Sequence, residues 1–160
     1  MKTEILSGLW LSSKDEITES KFLLEKNLDF IVNCSTTNIE DYTSLLNEKY
    51  SKNIKYVNLP IRDVHLEIKR NSTLLVDNMN DITNMIHKYI KKNKNVVVVC
   101  NTGKLASFTI GMCYIIRYGK VDFDYASIAI RSKNTSLDAV ENIYNYTIKQ
   151  YYIELKQQSQ

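Results

Sequence analysis

The sequence of 160 residues predicts an α/β fold, with a mostly parallel central sheet flanked by helices and a helical C-terminal half. The first observation is a run of four valines at 96–99, which ends at Cys100. Four consecutive β-branched residues are typical of a strand that is buried on both faces of a parallel sheet. The second observation is that strand-like and helix-like patterns alternate before this run, whereas only helical patterns follow it. Together these patterns indicate a single domain that covers residues 1–160.

The N-terminal part of the chain predicts four further strands and two helices. Short apolar segments on either side of Gly8 predict a strand pair at a sheet edge, and Ser12 and Ser13 precede a helix start with acidic residues in its first turn. The helix that starts after Ser13 is predicted to end near residue 27. Apolar runs and helical spacing then predict a strand at 28–33, a helix at 39–50 and a strand at 54–59 that Pro60 ends.

The C-terminal part predicts four helices around the valine strand. Residues 61–71 show no clear period and predict a loop, after which Ser72 or Thr73 caps a helix that ends near Lys94. The last three helices are predicted from apolar spacing and capping residues: 105–118, then 122–131 with Asp122 as cap and Tyr125, Ile128 and Ile130 facing inward, then one from Ser136 or Asp138 with a buried stripe of Val140, Ile143, Tyr144, Ile148, Tyr151 and Tyr152.

Composition and charge limit the classes of partner. The 21 basic and 18 acidic side chains give a net charge of +3, which is too small to favour a nucleic-acid partner. No run approaches the length of a membrane span, and the N-terminus lacks the pattern of a signal peptide. Cys34, Cys100 and Cys113 are an odd number without disulfide spacing, so we expect a soluble, cytoplasmic protein in a reducing compartment, with no membrane anchor. His65 and His87 are isolated, so we expect neither a metal nor a cofactor.

The stretch around Cys100 carries the chemistry. A strand, a short polar loop with one glycine and a helix start form an anion cradle, because the loop amides and the helix N-terminus point at one spot. A cysteine sulfur at the floor of such a cradle suits nucleophilic phosphate chemistry. The predicted phosphate loop is Cys100, Asn101, Thr102, Gly103, Lys104, Leu105 and Ala106.

This stretch resembles the signature loop of the cysteine-dependent protein phosphatases, in which His-Cys is followed by five residues, Arg, and Ser or Thr. The nearest group is the small, atypical dual-specificity phosphatases. Residues 5–11, 30–33 and 58–63 also resemble segments of that family, and a cysteine-phosphatase-like sheet is therefore expected. The resemblance implies that Cys100 occupies the nucleophile position, Gly103 the tight turn, Ser107 the hydroxyl that helps the thiolate leave, and Asp63 the general acid.

Two positions depart from the family pattern. The histidine before the nucleophile is Val99, and the arginine that grips two phosphate oxygens is Ala106. Loss of one preorganised donor typically costs about 10²–10³ in rate, so loss of a cationic fork should cost on the order of 10⁴ or more. Lys104 offers one charge but no fork, and we expect it to face solvent. Arg117 is interpreted as a surface residue that complements a helix dipole.

The departures leave three hypotheses open. The first is a pseudophosphatase that binds a phosphoprotein or another partner protein. The second is a weakly active cysteine-dependent phosphatase that acts on a phosphoprotein or on RNA 5′-phosphate ends. The third is a structural homo-oligomer that no longer uses the cleft, since some viral relatives in the family dimerise. The chain is rich in Lys, Asn, Ile and Tyr, which is typical of codon usage in an AT-rich genome and is compatible with a viral origin.

Overall fold

A five-stranded sheet in the order β1-β2-β5-β3-β4 organises the chain. The computed structural model describes residues 2–19, 21–62, 64–139 and 142–159. The strands are β1 Lys2–Leu6, β2 Leu9–Ser13, β3 Leu28–Asn33, β4 Lys55–Asn58 and β5 Asn95–Cys100. The helices are α1 Lys14–Glu19, α2 Phe22–Glu25, α3 Glu40–Tyr50, α4 Ile68–Lys91, α5 Ala106–Gly119, α6 Phe123–Arg131 and α7 Asn145–Gln158, with a 3₁₀ turn at His65–Glu67.

The sheet is parallel except for its first strand. β1 and β2 form an antiparallel pair at one edge, whereas β2, β5, β3 and β4 run in the same direction. The α/β fold with a mostly parallel sheet and a helical C-terminal half is therefore confirmed. Parallel strands bring their carboxyl ends to one edge, and Ser13 and Cys100 lie side by side there.

The central strand β5 is buried on both faces, as its valines predict. Val96, Val98 and Cys100 belong to the larger core, which α4, α5 and α7 cover. Val97 and Val99 point to the other face and belong to a smaller core with residues of α1, α2 and α3. This alternation follows from the period of two in a strand, and it places Val99 and Cys100 in different environments.

The helix α5 passes through the middle of the larger core. Every residue from Ala106 to Ile116 is buried. Near its C-terminal end, the Arg117 guanidinium donates to the Asn80 carbonyl at 2.8 Å and to the Thr83 hydroxyl at 2.9 Å, both on α4. Arg117 therefore joins two helices, in addition to placing a positive charge in the last turn of α5 as the sequence indicated.

The start of α4 differs from the sequence prediction. The helix begins at Ile68, four residues before Ser72, and the predicted loop at 61–71 is largely a 3₁₀ turn and the first turn of α4. Asn71 is buried in that turn and donates to the Arg62 carbonyl at 2.7 Å and the Tyr144 hydroxyl at 3.0 Å. Thr73 does not cap the helix, because its hydroxyl donates to a carbonyl inside it.

The helices α6 and α7 also differ in detail. Asp122 caps α6 as predicted, since its carboxylate accepts from the Tyr125 amide at 2.8 Å. Tyr125 and Ile128 face outward, however, with 64% and 70% of their surface exposed, so their predicted inward orientation was wrong. The α7 helix starts at Asn145 rather than at Ser136 or Asp138, after a turn in which Asn142 Oδ1 accepts from the Tyr144 amide at 2.8 Å. The helix predicted over 14–27 is found as α1 and α2. Tyr144, Ile148 and Tyr151 are buried as predicted, Tyr152 is half-buried, Ile143 is exposed, and Val140 lies outside the described residues.

The capping role of Asp122 gives a first prediction. Asp122→Ala should lower the free energy of unfolding by about 1 kcal/mol, because the Tyr125 amide loses its acceptor. Thermal unfolding followed by circular dichroism should detect a decrease of about 2–4 °C in Tm. The matched control is Asp124→Ala, in the same first turn but outside the cap position, which should change Tm far less. Equal losses for the two variants would contradict the capping role.

Candidate functional site

The cradle at the carboxyl end of β5 is formed around the Cys100 sulfur. The Gly103 amide donates to Cys100 Sγ at 3.1 Å, and Ser107 Oγ lies 3.1 Å from the same sulfur. Cys100 and Ser107 are fully buried, at the end of the central strand and in the first turn of α5. The structure thus brings together the sulfur, the glycine turn and the hydroxyl that the sequence resemblance places in one site.

Gly103 is required by both conformation and space. Its φ of +79° lies in the left-handed region, which L side chains rarely adopt. A Cβ at this position would lie 2.8 Å from the Ser13 backbone nitrogen and 3.0 Å from the Ser12 carbonyl carbon. The loop therefore packs directly against the backbone of β2, and only glycine fits there.

Two asparagines hold the loop from its sides. Asn101 Oδ1 accepts from the Thr36 amide at 3.2 Å and from the Thr36 hydroxyl at 3.3 Å, which joins the cradle to the loop after β3. Asn142 Nδ2 lies 3.4 Å from the carbonyl oxygens of both Lys104 and Leu105. These contacts position the loop without any charged group.

The sequence predicts that the loop amides point into the cradle, but not all of them do. The Lys104 amide donates instead to the Thr102 hydroxyl at 3.2 Å. At the start of α5, the N-cap residue Leu105 makes no side-chain hydrogen bond to the helix. The first-turn amides of α5 therefore lack the side-chain cap that helix N-termini often have, and such a terminus suits an anion.

The two positions that depart from the family pattern are both fully buried. Ala106 is the first residue of α5, and Val99 packs in the smaller core on the face of the sheet opposite Cys100. A methyl group at Ala106 makes no hydrogen bond, so this position contributes no donor to an anion. The isopropyl group of Val99 packs against apolar neighbours such as Ile31 and Phe22.

Three basic residues, Lys104, Arg62 and Arg117, could in principle supply the positive charge of the missing arginine. Lys104 is exposed, in agreement with the expected orientation toward solvent. Arg62 is 68% exposed and lies 3.8 Å from the Glu67 carboxylate. Arg117 is eleven positions beyond Ala106 on the same helix, about 16 Å along its axis, and its guanidinium is bonded to α4. Arg117 therefore does not place a guanidinium at the cradle, and the Arg62 side chain is directed to solvent beside Glu67.

The other candidate residues are distributed as follows. Asp63, in the general-acid position, lies outside the described residues, and its role stays a prediction. His87 contacts the Tyr114 hydroxyl through Nδ1 at 3.0 Å, far along the chain from the cradle. Cys34 and Cys113 are buried thiols outside any disulfide of the described residues, and burial raises the pKa of Cys113. Among the described residues, no group of three His, Cys, Asp or Glu side chains is placed to hold a metal ion.

None of the described helices has the length and apolar character needed to cross a membrane.

Solved structures with this fold belong to phosphatases and phosphatase-like proteins. A leucine-rich-repeat and phosphatase-domain protein from Entamoeba histolytica aligns with a TM-score of 0.74 and 16% identity, over 99% of this chain and 95% of that chain. A mouse putative dual specificity phosphatase, solved in complex with zinc tungstate, aligns with a TM-score of 0.75 and 13% identity, over 99% and 90%. The human tyrosine phosphatase-like serine/threonine/tyrosine-interacting protein aligns with a TM-score of 0.72 and 15% identity, over 95% of each chain.

The family itself is shown by the sequence. A family model described as "Dual specificity phosphatase, catalytic domain" matches residues 9–152, which is most of the chain. The protein therefore belongs to the dual specificity phosphatase catalytic-domain family. A comparison with curated proteins finds no match.

Sequence reasoning missed the residues that position the cradle. Asn101 was assigned only as a loop member, and Asn71 and Asn142 were assigned no role. The contacts of Asn142 join residues 37 or 38 positions apart, so no local pattern could indicate them. The Ser12–Ser13 backbone, against which Gly103 packs, had been assigned only as a helix start.

The role of Gly103 gives a second prediction. Gly103→Ala should lower the free energy of unfolding by about 2 kcal/mol or more, because it combines left-handed strain with a clash against the Ser13 backbone. Chemical denaturation of the two proteins measures the difference. Gly119→Ala is the matched control, since the nearest atoms to its Cβ would lie at 3.8 Å. A Gly103→Ala protein as stable as the control would contradict this account of the loop.

Proposed function

We propose that this protein is a pseudophosphatase, which binds a phosphorylated partner protein through the cradle without hydrolysing the phosphate. The observation that carries the proposal is Ala106, a fully buried alanine at the start of α5 where the family pattern has arginine. The rest of the cradle is retained around it, with Gly103 N and Ser107 Oγ each 3.1 Å from the Cys100 sulfur.

The absence of the arginine guanidinium affects catalysis more than it affects anion binding. In the transition state the negative charge on the equatorial oxygens needs preorganised donors, and loss of a two-donor cation costs on the order of 10⁴ in rate. In the ground state an oxyanion can still accept hydrogen bonds from the amides at the start of α5, which lack a side-chain cap from Leu105. The retained amides therefore support weak anion binding, whereas the absent arginine argues against turnover.

The burial of Cys100 also supports a non-catalytic role. The cysteine has no exposed surface, and its sulfur is enclosed by the Gly103 amide and the Ser107 hydroxyl. A nucleophile must come within about 3–3.5 Å of the atom that it attacks. The loop would have to open before a phosphorus atom reached this sulfur.

One contact favours a second candidate function, a weakly active cysteine-dependent phosphatase. Ser107 Oγ lies 3.1 Å from Cys100 Sγ, where it can stabilise a departing thiolate. In that reaction the thiolate would attack phosphorus, the bond to the substrate oxygen would break with a proton from the Asp63 position, and water would then release phosphate and restore the thiolate. Lys104, exposed in the loop, is the nearest cation in sequence to the cradle.

Turnover and anion binding are measured together in a third prediction. Hydrolysis of an aryl phosphate by the unmodified protein should not exceed that of Cys100→Ser, because the transition-state fork is absent. Titration with inorganic phosphate or tungstate should still shift the NMR signals of the amides at 101–107. Turnover well above the Cys100→Ser control would overturn the pseudophosphatase proposal, and unshifted amides would overturn phosphate binding at the cradle.

The missing donor can be restored in a fourth prediction. Ala106→Arg should raise aryl phosphate turnover by about 10²-fold or more over the unmodified protein, and a further Cys100→Ser change should abolish the gain. Ala106→Lys is the matched control, because it supplies charge without a planar fork and should gain much less. Adding Val99→His should increase turnover further but lower stability, since Val99 packs among apolar residues of the smaller core. A folded Ala106→Arg protein with no gain would show that more than the arginine is missing.

A further inference from the structure

A groove between the N-terminal turns of α4 and α7 lies outside the cradle. Its volume is about 410 Å³, and its apolar wall includes Ile68, Val76, Ile143 and Tyr146. Ile143 is 39% exposed and Tyr146 is 77% exposed. Large apolar side chains at this level of exposure, grouped around one concave surface, are typical of a site for another molecule.

The first turn of α7 also contains unsatisfied polar atoms. Across the described residues, two buried side-chain oxygens have no hydrogen-bond partner, and both lie in this turn: Asn145 Oδ1 and Thr147 Oγ1. Thr147 lines the groove and is 2% exposed. A buried polar atom without a partner is costly, and a native protein usually retains one for a reason.

The orphaned hydroxyl of Thr147 is unlike the other buried or partly buried helical threonines. These donate to the carbonyl four residues earlier, at distances from 2.7 to 3.0 Å: Thr43 to Ile39, Thr83 to Met79 and Thr109 to Leu105. Thr147 makes no such bond. Threonine in a helix populates two χ1 rotamers, and rotation between them can turn its hydroxyl toward the groove.

The groove is joined to the cradle by side-chain hydrogen bonds. Asn142 directly precedes Ile143 in sequence, and its amide lies 3.4 Å from the Lys104 and Leu105 carbonyls of the cradle loop. On the other side, Asn71 in α4 bonds both the Arg62 carbonyl and the Tyr144 hydroxyl. Ile143 in the groove wall is therefore one residue from a contact with the cradle loop, which places the two sites within the length of a short extended segment.

The charges along this path favour an acidic occupant at the cradle end. Three basic side chains along this path are exposed: Lys104 in the cradle loop, Arg62, whose carbonyl accepts from Asn71 of α4, and Lys69 in the groove wall. Glu67 offsets only part of this charge, at 3.8 Å from the Arg62 guanidinium. Asp77 lies at the other end of the groove, two turns along α4 from Lys69.

We propose that the groove receives a large apolar side chain of a phosphorylated, acidic peptide segment whose phosphate occupies the cradle. The Thr147 hydroxyl then pairs with a main-chain group of that segment. This inference rests on the proposed function, because it assigns the phosphate to the cradle. It adds the class of partner: an extended phosphopeptide with an apolar residue at a constant distance from the phosphorylated one.

The test uses the full chain and a peptide library with a central phosphotyrosine, phosphoserine or phosphothreonine, together with the same library unphosphorylated. Captured phosphopeptides should be enriched in a large apolar residue at one offset from the phosphate. For the best peptide, Ile143→Asp should weaken the affinity tenfold or more. The matched control Ile153→Asp, on an exposed position of α7 away from the groove, should leave it within about twofold.

Thr147→Val provides a second readout that a purely structural role would not give. Removal of the orphaned hydroxyl should raise Tm by about 2–4 °C, because a buried unpaired group disappears. The same substitution should weaken peptide affinity several-fold. A variant that is more stable and binds as tightly as the unmodified protein would overturn the role assigned to this hydroxyl.

The outcomes separate this inference from the proposed function. Phosphopeptides captured without an apolar preference, and equally by Ile143→Asp, would overturn the groove and leave phosphate recognition standing. No preference for phosphorylated over unphosphorylated peptides would overturn both. Loss of a dimer in Ile143→Asp, detected by light scattering, with unchanged peptide affinity, would assign the groove to a second copy of the chain instead.

Discussion

The contact of Gly103 with the backbone of β2 is the constraint on which the site depends. Because the residue has no side chain, the loop approaches the Ser12–Ser13 backbone within van der Waals distance, and its amide is directed at the Cys100 sulfur. The parallel pairing of β2 with β5 places Ser13 beside Cys100 and so provides the surface against which the loop packs. The cradle is thus a product of sheet register and one glycine, and it persists although the arginine is absent.

Neutral side chains hold the surroundings of the cradle together. Asn33, Asn71, Asn101 and Asn142 each bond to a segment that is distant in sequence or to the loop after a strand. An amide both donates and accepts, so one side chain can join two segments, as Asn71 does with Arg62 and Tyr144. None of these bonds depends on an ionised group.

The sequence predicted the elements whose signals are local. The valine run predicted the doubly buried strand, and Asp122 predicted a helix start, because both depend on neighbouring residues. The start of α4 coincides with tertiary contacts of Asn71, which local propensity does not describe. In the site, the motif placed Cys100, Gly103 and Ser107 correctly near one another. The contacts of Asn101 and Asn142 could not be predicted from the sequence, because their partners are distant in the chain. The unpaired hydroxyl of Thr147 could not be predicted either, because it is defined by the lack of a partner among the described residues.

The position of Val99 in the smaller core has a consequence for how this protein can change. An arginine at position 106 would replace a fully buried alanine of the larger core, and a histidine at position 99 would insert a polar ring into the smaller core, which contains Ile17, Phe22 and Ile31. The neighbours would have to be replaced as well before an imidazole became tolerable there. Both departures from the family pattern are therefore held by the packing around them, and a larger side chain at either position needs space that its neighbours now fill.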